Sequence, residues 1–189
     1  TLGYLLSAEH RYKDWVWESM YELTVNENMW NENHKDFLNV GDMMRAVSYV
    51  YDWMYNEWTE EQRMIVRNAI VHYGIEPTLH YTRAYNKFAG DTGGNWGQII
   101  MSGLGATGIA LSGEGEEYKD LANEAINRSI IALTRMHPKT ISPEGDYVEG
   151  VGYWSYGMVN YLPYLAAMQT SLGTTGGLMD LPGMRYCGN

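Results

Sequence analysis

The sequence predicts an all-α fold built from successive antiparallel helical hairpins. Three observations carry this. Apolar residues recur at three- and four-residue spacing over most of the chain. Glycine- and asparagine-rich stretches separate the periodic segments. No alternating run of useful length marks a strand. Successive helical hairpins are how α/α barrels, toroids and solenoids are built, and no repeated sequence motif accompanies them here. The 189 residues suit one domain, spanning 1–189, large enough to bury a core.

Each element has its own signal. From Ala8 to Leu23, the apolar residues Tyr12, Trp15, Val16, Met20 and Leu23 follow helical spacing. A polar loop with several Asn is expected from Asn26 to Asp36. Val40 to Tyr55 carries an apolar stripe of Met43, Met44, Val47, Val50, Tyr51 and Met54. Thr59-Glu60-Glu61-Gln62 is a capping box that starts a helix running to about Tyr81, with a bend expected near Gly74 and Pro77. A glycine-rich loop, Ala89 to Gly94, leads to Asn95 as a helix cap and a helix from about Trp96 to Leu111. That helix is rich in small residues, including Gly103, Gly105 and Gly108, each interior Gly costing about 1 kcal/mol relative to Ala. Such a helix is expected to lie closely packed between others. Glu116 to Met136 forms a further helix, and a Pro- and Gly-rich loop precedes a last one, roughly Trp154 to Ser171.

Composition narrows the function classes. Hydrophobic residues make up 45% and charged residues 19%, which argues against disorder. Sixteen Tyr and seven Trp stand against two Phe, a skew towards rings with a polar handle. Such rings suit ligand-stacking clefts, and equally the seams between helices. A net charge of −10 disfavours nucleic acid and anionic membrane surfaces as partners. It also counts mildly against an acidic polysaccharide, an objection that a local basic site from Arg45, Arg83, Lys87 and His80 would relieve. The lone Cys187 forms no intramolecular disulfide. No apolar run approaches about 18 residues, so no transmembrane helix or signal peptide is expected. A start without Met and an end at Arg185-Tyr-Cys-Gly-Asn read as a fragment of a longer protein. His34, His72, His80 and His137 lack metal-ligand spacing and read as surface or capping residues, so no metal or cofactor is expected.

Three stretches carry a family resemblance. The first is Asp36-Phe-Leu-Asn-Val-Gly-Asp-Met-Met-Arg-Ala-Val-Ser-Tyr-Val-Tyr-Asp-Trp-Met-Tyr, continuing through Trp58-Thr-Glu-Glu-Gln-Arg. The second is Gly94-Asn-Trp-Gly-Gln. The third, and most specific, is Ser142-Pro-Glu-Gly-Asp-Tyr-Val-Glu-Gly-Val-Gly-Tyr-Trp-Ser-Tyr-Gly. Over residues 36–170 the chain resembles the helical domain of the heparinase II/III-like polysaccharide lyases, which are related to oligoalginate lyases. The resemblance implies an incomplete α/α toroid whose cleft binds an acidic, uronate-containing polysaccharide and cleaves it by β-elimination. It also implies a C-terminal β-sandwich region of the same protein and export to the periplasm or beyond.

Carried over by motif, Asn95 falls on the carboxylate-binding Asn and Tyr153 on the catalytic Tyr that serves as acid and, for some substrates, as base. The chemistry suits them: an amide donor spreads the enolate charge, and a phenol carries the proton. Trp96 stands where several members have a His, which narrows the expected substrates to those where Tyr153 alone takes and gives the proton.

Each residue also has a plainer reading. Asn95 is equally a helix cap, and Tyr153 a packed ring beside Trp154, with Tyr156 one turn on as the fallback. Trp96 either stacks on a sugar or fills core. Glu149 either bonds substrate or fixes its loop, the loop being favoured. His80 and Arg83 either line a cleft wall or lie on a solvated loop. Asp42 and Asp52, nearly in phase on one helix, point with Asp146 and Glu149 to a rival glycoside hydrolase, although Asp52 reads more simply as a buried structural hydrogen bond. The other rival is a non-catalytic carbohydrate-binding domain.

Overall fold

The computed structural model describes residues 1–31, 38–85 and 93–187. His34, Lys87 and residues 89–92 of the glycine-rich loop lie outside these, as do residues 32–36 of the expected Asn26–Asp36 loop. The described residues are nearly all helical, with one isolated antiparallel bridge between Ile141 and Tyr147 and no strand. In chain order the α-helices are α1 (Leu2–Ser7), α2 (His10–Val25), α3 (Glu27–Asn31), α4 (Leu38–Met54), α5 (Glu60–Ala69), α6 (Glu76–Tyr85), α7 (Asn95–Leu111), α8 (Glu116–Met136) and α9 (Val151–Leu172). Among the described residues no helix is long and apolar enough to cross a membrane.

The expected capping box is present in both halves. The Gln62 amide donates to Thr59 Oγ1 at 3.2 Å, and the Thr59 amide donates to Gln62 Oε1 at 2.9 Å. The bend expected near Gly74 takes the form of a π-helical stretch, Ile70–Ile75, joining α5 to α6. It lies where a Cβ on Gly74 would press on Met44 at 2.9 Å and Trp30 at 3.2 Å.

Two short helices were not expected. α3 forms inside the predicted loop because Trp30 is fully buried and its indole donates to the Leu23 carbonyl at 2.7 Å. α1 has no buried residue, and its sequence carries little periodicity to announce it.

α7 is the central element, packed against α4, α8 and α9. Its small residues permit this, as expected. A Cβ on Gly103 would lie 2.5 Å from the Gly41 carbonyl oxygen of α4, and one on Gly105 would enter the ring of Tyr164 of α9. Matching levels along the helices give their directions. Gly41 meets Ile100 and Met44 meets Thr107, so α4 runs parallel to α7. Gly157 meets Gln98 and Tyr164 meets Gly105, so α9 does too. α8 runs the other way, with Met136 against Gly97, Ser129 donating to the Met101 carbonyl at 2.7 Å, and Ile126 against Gly108. The α5–α6 segment is likewise antiparallel to α4, from Arg67 on Tyr51 to Thr78 on Met44. Three parallel helices thus alternate with antiparallel connectors.

Arg67 ties the connectors together. Its buried guanidinium donates to Tyr51 Oη at 3.1 Å and Glu114 at 2.7 Å, and also pairs with Glu60. With three partners, this buried charge is compensated rather than stranded.

Candidate functional site

The starts of α7 and α9 meet. Each follows a glycine held at positive φ: Gly94 at 109° and Gly150 at 84° are the residues flanking the helices. Only glycine adopts these angles without strain. The N-cap of α7 is therefore Gly94, which corrects the assignment of that role to Asn95. Gly94 has no side chain to bond the free amides, and the acceptors arrive from elsewhere. The Gly94 amide donates to Thr140 Oγ1 at 3.0 Å, and the Asn95 amide donates to Glu149 Oε2 at 2.6 Å.

Asn95 is 1% exposed. Its side-chain Nδ2 also donates to Glu149 Oε2, at 2.8 Å, while its Oδ1 is buried with no partner. One carboxylate oxygen thus sits in a seat made by two N–H groups of one residue. Glu149 is itself exposed and belongs to the loop leading into α9. It fixes that loop to α7, as expected, and lies four residues before Tyr153.

Tyr153 stands in the first turn of α9, 55% exposed, and its hydroxyl has no hydrogen-bond partner among the described residues. It is not a packed ring. The neighbouring Trp154 is the ring that turns inward, its indole donating to Cys187 Sγ at 2.9 Å. Trp96 is 44% exposed in the first turn of α7, so core packing does not account for it. Behind this rim, Tyr147 donates to Gln98 Oε1 at 2.6 Å, a second link between the loop and α7. Burial and the nearby Glu149 carboxylate push the Tyr147 phenol well above its usual range, so it remains a donor.

Tyr156 faces a different neighbour from Tyr153. Its hydroxyl donates to Asp42 Oδ2 of α4 at 2.9 Å, and Asp42 in turn lies 3.6 Å from Arg45. The Arg45 Nε and the Asn160 Oδ1 are both buried without partners, polar atoms left over on the α4 and α9 helices.

His80 and Arg83 do not join the rim. Arg83 forks onto Glu124 of α8, with Nε donating at 2.9 Å, and this contact raises the Arg83 pKa while holding the Glu124 carboxyl below its usual range. Glu124 is 12 residues from Met136, the α8 residue level with Gly97, which is about 18 Å at 1.5 Å per residue. His80 is exposed on α6, edge-on to Tyr81. Asp52 is exposed rather than buried. It is ten residues from Asp42 on one helix, hence about 15 Å away, beyond the separation of roughly 10 Å that an inverting carboxylate pair spans. Asp146 is turned back on its own loop, accepting from Ser142 Oγ at 3.3 Å. Among the described residues no cluster of three His, Cys, Asp or Glu is placed to hold a metal ion.

Compared with known proteins, the chain matches no family model and no curated protein.

Proposed function

We propose that this chain is the helical, substrate-binding part of a polysaccharide lyase that cleaves a uronate-containing polysaccharide by β-elimination. One observation carries the reading: Asn95 already holds a carboxylate, that of Glu149, on two N–H donors, with the unpartnered Tyr153 hydroxyl one short stretch of chain away. A uronate carboxylate taking the place of Glu149 would be bound by the same two donors.

In the proposed reaction the seat withdraws charge from the uronate as its C5 proton is removed. The Tyr153 phenolate takes that proton. The C5–H electron pair becomes the C4–C5 double bond, the C4–O4 pair leaves with O4, and Tyr153 returns the proton to O4. Trp96, exposed beside Asn95, supplies a ring on which a sugar can stack. The parallel α4, α7 and α9 with their antiparallel connectors support an incomplete α/α toroid, in which this rim is one lip of the cleft. The remainder of the site would come from a β-rich continuation of the same protein, and the enzyme would act on polymers outside the cytoplasm.

The test is incubation of the full-length protein with heparan sulfate, chondroitin, hyaluronan and alginate, followed by ultraviolet absorbance for the unsaturated uronate. A rise on one of them is the expected result. A folded protein that produces no rise on any uronic polymer defeats the lyase reading. A second reading, a non-catalytic carbohydrate-binding domain, draws on one fact: the Asn95 amide is occupied by Glu149. Binding without an ultraviolet product would select it.

A further inference from the structure

Away from the rim, a groove of about 290 Å³ runs between the C-terminal halves of α4, α7 and α9. One wall is aromatic. Tyr49 and Trp53, one turn apart on α4, lie nearly parallel, with ring centroids 6.4 Å apart and planes 18° apart. Trp53 is 47% exposed, so the shelf is open to solvent. The Tyr49 hydroxyl is buried without a partner, which leaves the ring rather than the hydroxyl to line the groove. Ala106 and Ala110 of α7 and Ala166 of α9 add short methyl groups that leave the rings uncovered.

Polar groups edge this apolar floor. Asp52 lines it with a carboxylate that has no hydrogen bond or ion pair among the described residues. Ser48, Thr170 and Ser171 also line it with hydroxyl-bearing side chains. Among the described residues no Lys or Arg lines the groove.

These features select a ligand class. A near-parallel aromatic shelf accepts the C–H face of a pyranose ring, and a carboxylate accepts hydrogen bonds from its hydroxyls. The unpaired Asp52 repels uronate and sulfate. A quaternary amine is held best by rings converging from several sides, which this shelf does not provide. The volume is near the lower end of small-ligand pockets, about 300 Å³, suited to a single sugar ring.

We propose that the groove is a second saccharide subsite that takes an uncharged pyranose ring. Its place as a remote subsite for the polymer rests on the lyase reading; its affinity for neutral sugar does not. From Trp96 to Ala110 is 14 residues along α7, about 21 Å, a span bridged by a short run of sugar units.

The test is calorimetric titration of the chain with neutral oligosaccharides, cellobiose, maltotriose and chitobiose, and with tetramethylammonium. The same titrations are made on Trp53→Ala, Asp52→Asn and Tyr153→Phe, with circular dichroism confirming each fold. At least one neutral oligosaccharide is expected to bind. Trp53→Ala should weaken it at least tenfold and Asp52→Asn severalfold, while Tyr153→Phe leaves it unchanged. Absence of neutral-sugar binding, affinity indifferent to Trp53→Ala, or tighter binding of tetramethylammonium than of any sugar overturns the proposal. Trp53-dependent sugar binding with no unsaturated product on any uronic polymer keeps the groove and removes the lyase. Unsaturated product without neutral-sugar binding does the reverse.

Discussion

On the proposed lyase reading, Glu149 occupies the place that a substrate carboxylate would need, and its replacement therefore reads out two things at once. Its carboxylate satisfies the first amide of α7 and the Asn95 side chain. Hydrogen bonds to a charged partner contribute about 1.5–3 kcal/mol, less where the partner is exposed as here. Glu149→Ala should lower the melting temperature by roughly 2–4 °C, the shift expected for about 1 kcal/mol in a domain of this size, as scanning calorimetry would show. It should also tighten the binding of uronate oligosaccharides, because the seat is emptied. Unchanged or weaker binding would mean that Glu149 is part of the binding surface. For Tyr153→Phe the expected pattern is different: a fall in turnover of about 100-fold or more, the scale of a lost proton carrier, with substrate affinity preserved. Steady-state rates beside direct titration separate the two. The pairing of Asn95 with Glu149 was not legible in the sequence as a bond. The two are 54 positions apart, and the positive φ of Gly94, which removes Asn95 from the capping position, is a property of the folded loop.

At the scale of elements, the tight seams of α7 make a sharper prediction than its apolar character does. Gly105→Ala replaces a hydrogen with a methyl that meets the Tyr164 ring, and overpacking of this kind costs about 1–3 kcal/mol. Gly113, where a methyl would meet nothing within 4 Å, is the control. Urea unfolding should show Gly105→Ala destabilised and Gly113→Ala neutral or slightly stabilised. Six helices were readable, one of them expected to run with a bend over what are α5 and α6, because their cues are local: periodic apolar residues, a capping box, and glycine runs between them. α3 and the π-helical form of the bend near Gly74 were not, because the burial of Trp30 and the contact of Gly74 with Met44 come from packing between segments far apart in sequence. Asp52 was misread for a related reason. Apolar neighbours in sequence implied burial, but Tyr51 and Met54 turn to the core while Asp52 opens with Trp53 to the groove.

For the whole molecule, the buried tyrosines set the alkaline limit of stability. Burial pushes both Tyr49 and Tyr164 up to about 12, and Tyr51, Tyr147 and Tyr161 are raised as well. A phenol that holds its proton more tightly when folded stabilises the fold fully below its unfolded pKa of about 10. That contribution is lost as pH rises from about 10 towards the folded value, by up to about 1.4 kcal/mol per unit for each group. Melting temperatures should therefore hold level to about pH 9 and then fall steeply. On the acid side the trend comes from Glu57, Glu124 and Glu60, the last held down by hydrogen bonds from Arg67 and Arg63. Bonds from Tyr4 and Lys13 hold Glu57 below its usual range, and the bond from Arg83 does so for Glu124, so their contribution fades as pH falls through those depressed values.

The shared direction of α4, α7 and α9 has an electrical consequence. Peptide dipoles add along a helix to roughly half an elementary charge, positive at its start and negative at its end. Three helix starts against the C-terminal ends of the antiparallel α6 and α8 leave the end bearing Asn95 and Tyr153 with roughly half a positive charge from these five helices, and the groove end with as much negative. On the proposed lyase reading, this small local field favours the approach of a polyanion at the Asn95 end of a protein whose net charge is −10. Because this field acts through solvent, it weakens beyond about 8 Å at physiological salt, and the rate of capture should fall as salt is added.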